Sequence, residues 1–131
     1  MVSSGSARSK VDLLDGCRML YEKGYQIYAT AGTRKFLVEN GIDNAIEVSW
    51  PDEHRDNNVM DMIAGHAFDL IINVPKNYTK HEMTNGYKIR RAAIDHNIPL
   101  ITNARLAGAF IESFCAVSLQ NIPIKSWKEY K

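Results

Sequence analysis

The feature that most restricts the fold is a rhythm. Five short apolar or alternating segments are each followed by a stretch of helical periodicity. Met1 to Ser4 reads as the stub of a strand, YQIYAT (25–30) alternates into a second, and Ala45 to Ser49 makes a third. DLIIN, Asp69 to Asn73, is apolar on both sides, as a parallel strand buried on both faces must be. PLIT (99–102) is the fifth. From Ser9 the positions Leu13, Leu14, Cys17 and Leu20 recur at helical spacing until Gly24 stops the run. A second helix opens at Thr33 and closes at Asn40 and Gly41, and a short third one uses Val59, Met62 and Ile63. Trp50-Pro51 ends the third strand, because proline cannot continue the ladder. After the loop KNYTKHEMTNG, helices are predicted from about Tyr87 to His96 and from Asn103 to about Val117. In the last of these Leu106, Phe110, Phe114 and Val117 mark the buried face. Strands alternating with helices predict an α/β fold: a three-layer α/β/α sandwich around a mainly parallel sheet of about five strands, with right-handed crossovers.

Open parallel sheets bind ligands beyond the carboxyl ends of their strands. That rule gathers Ser3 and Ser4, Thr30 to Thr33, Ser49 and Trp50, Asn73 to Lys76, and Thr102 and Asn103 onto one edge. The edge is rich in hydroxyls and amides and poor in acids, which suits an anion. At its centre is YATAGT (28–33), a strand running into a helix whose first N–H groups are unpaired and carry the positive end of the macrodipole. Two readings are open. Thr33 is an N-cap and nothing more, or Thr30 and Thr33 flank Gly32 so that hydroxyls and N–H groups converge on one anion, with no Cβ on Gly32 to obstruct it.

Charge and composition exclude other classes. Sixteen Lys+Arg against fifteen Asp+Glu leave a net charge of +1, so no global field favours nucleic acid or an anionic membrane. At 131 residues the chain is expected to form one domain, 1–131. Cys17 and Cys115 lack metal-ligand spacing and read as reduced core thiols, and His54, His66 and His96 build no metal site with one another. No apolar run approaches membrane length and no signal-peptide core opens the chain, so a soluble, cytoplasmic protein is expected.

YATAGT, NGI, DLIINVP and YKIRRAAIDHNIPLITNARLA, in that order and spacing, resemble the methylglyoxal-synthase-like domain. Within it the chain is most similar to the C-terminal allosteric domain of the carbamoyl phosphate synthetase large chain. IRRAAIDHNIPLITN is the most specific segment, and the tail NIPIKSWKEYK resembles the end of such a chain. The resemblance implies a Rossmann-type sheet and a regulatory domain excised from a larger ligase of pyrimidine and arginine biosynthesis. The parent would use ATP with Mg, whereas this fragment would carry no cofactor. Implied partners are a small anionic effector, the remaining synthetase domains and a glutaminase subunit, with homo-oligomers also compatible.

The same superfamily contains lyases, so a catalytic role depends on which of their acids are present. Asp56 falls where such a synthase keeps its base and His81 where it keeps a histidine. Val74 and Thr84, however, occupy the places of two further acids, and PDEHR replaces the glycine-rich phosphate turn. No catalytic residue is therefore assigned. The binding pattern is retained: in nucleotide-controlled synthetases the phosphate is held by a lysine and two threonines that map onto Lys10, Thr30 and Thr33. Synthetases answering to N-acetylglutamate resemble this chain at Trp50, Asn73 and Asn85, but would want an asparagine at Lys76. The two lysines favour a UMP- or IMP-type nucleotide over N-acetylglutamate. Of Arg90 and Arg91, about 100° apart on a helix, at most one can face a ligand. Three classes remain open: an effector-binding domain, a stand-alone lyase, and an assembly module without a ligand.

Overall fold

A computed structural model describes residues 1–53, 55–75 and 80–116. The chain alternates β1 (Val2–Ser4), α1 (Ala7–Glu22), β2 (Tyr28–Thr30), α2 (Ala31–Glu39), β3 (Ile46–Val48), α3 (Val59–Ala64), β4 (Ile71–Val74), α4 (Lys80–Asp95), β5 (Leu100–Ile101) and α5 (Ala104–Ala116). All neighbouring strands pair in parallel, in the order β3-β2-β1-β4-β5. The expected α/β sandwich is therefore formed. The chain runs outward from β1 through β2 to β3 and then returns to lay β4 on the other side of β1. In open parallel sheets such a reversal, here between β1 and β4, is where ligands bind beyond the carboxyl ends of the strands.

Period-2 alternation distributes the strands between two cores. Val2, Ala29 and Ile72 pack with Leu13, Cys17, Leu37, Ala107 and Ile111 on the side of α1, α2 and α5. Met1, Val48 and Ile71 pack with Ile63, Ile89 and Ala93 on the side of α3 and α4. Register then carries the chemistry. Ser3 stands opposite Asn73, and Val2 stands opposite Ala29, which brings Thr30 beside Ser3. The three polar side chains occupy one row on the α3/α4 face.

Several boundaries differ from those expected. Helix α1 begins at Ala7, because the Ser6 hydroxyl accepts the Ser9 N–H at 3.1 Å and caps it there. Strand β2 is confined to the last three residues of YQIYAT. Helix α4 starts at Lys80, not Tyr87; Gly86 does not break it, since one glycine inside a helix costs only about 1 kcal/mol and tertiary packing outweighs that. The buried face of α5 is Ala104, Ala107 and Ile111, whereas Leu106 is 61 % and Phe110 44 % exposed. Close approach to α1 is the reason. A Cβ on Gly16 would lie 3.1 Å from Ile111 Cδ1, and one on Gly108 would lie 3.4 Å from the Asp12 carbonyl, so the interface has room only for small residues. Val117 and the tail NIPIKSWKEYK lie outside the described residues.

Candidate anion site at the strand carboxyl ends

Strand β2 passes into α2 without a loop, and Thr30 is both the last strand residue and the helix N-cap. Its extended backbone, φ −67° and ψ 159°, aims the first amides of α2 past the end of the sheet. The Thr30 side chain makes no cap bond; its hydroxyl donates instead to Ser3 Oγ at 3.4 Å. The opening N–H groups of α2 are thus left without a side-chain acceptor.

Thr33 is not the N-cap. It lies in the first turn of α2, 3 % exposed, and its hydroxyl is engaged by the backbone of β1. Thr33 Oγ1 accepts the Ser4 N–H at 3.1 Å and donates to the Ser4 carbonyl at 3.2 Å. The physical cause is that β1 outruns β2: the chain of β2 has already turned into α2, so Ser4 has no ladder partner there and the threonine supplies one. Ser4 Oγ is buried with no hydrogen-bond partner among the described residues. Gly32 is exposed, and among the described residues outside its own helix turn no atom lies within 4 Å of where a Cβ would be, which leaves room for a ligand beside the α2 amides.

Cationic groups flank this end. Lys10 is half-buried on α1 and donates to the Gly5 carbonyl at 3.3 Å, reaching back to the tip of β1. Arg90, on α4, donates through Nη1 to Asn73 Oδ1 at 2.8 Å. Arg91 points elsewhere and pairs with Asp95, so of the two arginines one serves the strand ends. That assignment needed the structure, although the helical spacing had limited the choice to one. Trp50, just after β3, packs partly buried on the α3/α4 core. Its N–H donates to Glu53 Oε1 at 2.8 Å and its carbonyl accepts from Asn58 Nδ2 at 3.0 Å. Asn73 and Asn85 are 3 % and 2 % exposed. Lys76 and His81 fall outside the residues whose side chains are described.

Asp56, the candidate base, is solvent-exposed, and its backbone carbonyl accepts from Ser49 Oγ at 3.3 Å. Among the described residues no group of three or more His, Cys, Asp or Glu side chains could hold a metal ion. A cavity of about 400 Å³, walled by Tyr25, Tyr28, Phe68, Phe110 and Phe114, opens at the amino ends of the strands. It is mostly apolar and lies at the opposite edge from the hydroxyl row.

The family model described as "MGS-like domain" matches residues 12–102. Among curated relatives, "Multifunctional protein ura1" of Schizosaccharomyces pombe is 36% identical over 121 residues, covering 88% of this chain and 5% of its own length. "Carbamoyl phosphate synthase large chain" of Archaeoglobus fulgidus is 40% identical over 118 residues, covering 90% of this chain and 11% of its own. The chain thus spans about a tenth or less of these relatives. In structure it is similar to methylglyoxal synthase from Elizabethkingia anophelis, with a TM-score of 0.58 at 18% identity over 92% of this chain and 78% of that one, a likeness of fold.

Proposed function

The chain belongs to the MGS-like domain family, and we propose that it is the effector-binding regulatory domain of a carbamoyl phosphate synthetase chain. The observation that carries this reading is the uncapped N-terminus of α2 beside a buried row of hydroxyls, Thr30 and Ser3, with Ser4 Oγ unpartnered among the described residues. An anion there meets the amides of Gly32 and Thr33 and the helix dipole, and Lys10 adds a positive charge. Thr33 serves the site by pinning α2 to the tip of β1, its own hydroxyl being occupied.

The effector is a small anion, a UMP- or IMP-type nucleotide in preference to N-acetylglutamate, with Trp50 covering the end remote from the phosphate and Lys76 adding charge. In the parent protein, synthesis of carbamoyl phosphate from glutamine or ammonia with ATP and Mg belongs to other domains. These domains and a glutaminase are this domain's partners, in the cytoplasm. An effector acts on them only through different affinities for two arrangements of the parent.

A thermal-shift and calorimetric screen of the 131-residue chain against UMP, IMP, ornithine, N-acetylglutamate and inorganic phosphate tests the reading. Binding to the folded state alone must raise the melting temperature, by an amount that grows with ligand concentration. No shift and no heat from any of them at millimolar concentration, with the fold intact, would refute it.

A further inference from the structure

We infer that Arg90 polarises the Asn73 amide, so that the effector site offers a hydrogen-bond donor at the end of β4 and selects a ligand group that is an acceptor there. The inference rests on the effector-binding reading and deepens it. Asn73 is buried in the Thr30–Ser3–Asn73 row, and a buried primary amide can present either its oxygen or its nitrogen. Arginine removes that freedom. A guanidinium carries five donors and no acceptor, so the edge of Asn73 that faces Arg90 Nη1 at 2.8 Å must be the carbonyl oxygen. The Nδ2 edge is then turned away from Arg90, and no acceptor meets it among the described residues.

Gly86 makes this arrangement sterically available. One turn before Arg90 on α4, a Cβ at position 86 would lie 2.7 Å from Nη1 and 3.5 Å from Cζ, inside the space that the guanidinium occupies. Any side chain there would displace the end of Arg90, the flexible party, and release Asn73 to flip. Among the described residues Arg90 meets no carboxylate, so its charge is set against a neutral amide. The ligand group at this point is accordingly a carbonyl or an anionic oxygen, because a donor would confront the Nδ2 hydrogens.

Two variants of the whole chain test this by calorimetry with UMP, IMP and N-acetylglutamate. Asn73→Asp keeps the shape, can pair with Arg90 and removes the donor. It is expected to keep a melting temperature close to that of the wild type while losing at least about tenfold in affinity, the worth of a charge-assisted bond. Gly86→Ala touches no ligand-facing atom and should lose about 3- to 10-fold, the worth of one neutral hydrogen bond. In the ¹⁵N spectrum its Asn73 side-chain signals should also shift. If a ligand binds the wild type and Asn73→Asp binds it equally or more tightly, the polarised amide is wrong while the effector site stands. If Gly86→Ala leaves both affinity and the Asn73 signals unchanged, the steric part is wrong. If the folded wild type binds none of the three, the effector reading fails and this inference with it.

Discussion

Replacing Thr33 by alanine should do more damage than the loss of a helix cap, because the hydroxyl completes a sheet rather than a helix. The wild-type hydroxyl satisfies two backbone groups of Ser4, the N–H at 3.1 Å and the carbonyl at 3.2 Å, on the side of β1 where β2 has already ended. Thr33 is 3 % exposed and Ser4 4 %, so water does not readily replace the lost bonds. An orphaned buried donor costs about 1–3 kcal/mol, and the carbonyl, with a second lone pair, adds less. Alanine recovers roughly 0.5 kcal/mol of helix propensity. The net expectation is a loss of about 2 kcal/mol, against about 1 for an ordinary N-cap. Thr33→Ser keeps the hydroxyl and should cost under about 1 kcal/mol, one methyl group's worth. Urea denaturation with an unchanged m-value measures both, and amide hydrogen exchange at Ser4 supplies the local readout, with protection lost in Thr33→Ala and kept in Thr33→Ser. If Thr33→Ala costs less than about 0.5 kcal/mol, the scatter of surface substitutions, or if serine is as damaging as alanine, the latch between α2 and β1 is refuted.

The buried face of α5 is tested by a pair of truncations: Ile111→Ala should destabilise by about 2–5 kcal/mol, whereas Leu106→Ala, at a site 61 % exposed, should stay within about 0.5 kcal/mol; equal effects in urea melts would reverse the assignment. With Asp56 exposed and Val74 and Thr84 in place of acids, incubation with dihydroxyacetone phosphate should yield no methylglyoxal, and product that vanishes in Asp56→Asn would restore a lyase. Burial pushes the Cys17 thiol from its usual 9 up to about 11. The unfolded thiol therefore ionises first, and the associated stability, complete below pH 9, is lost as pH rises from 9 to 11. The alkaline decline should be shallower in Cys17→Ala. At about pH 9 a thiol reagent should label the half-buried Cys115 but reach Cys17 only at the rate of unfolding.

Features written in neighbouring residues were legible before any contact was known. Strands and helices obey backbone periodicity, so DLIIN could be read as a central strand. In a parallel sheet the residues just past every strand emerge at the same edge, so Thr30, Trp50 and Asn73 could be assigned to that edge before any contact was known. Limits appeared where a local pattern was compatible with two packings. The last helix, ARLAGAFIESFCA, carries apolar residues outside its buried face as well as on it, and bulk pointed to Leu106 and Phe110. Only its distance from α1, set by Gly16 and Gly108, selected Ala107 and Ile111. Gly86 has the local character of a helix breaker, and only the guanidinium of Arg90, lying in the space its missing Cβ leaves, gives it another role. Thr33 met its partner 29 residues away and Arg90 met Asn73 at a separation of 17. These bonds depend on strand order and register, which arise when distant segments pack together, and no short window of sequence contains them.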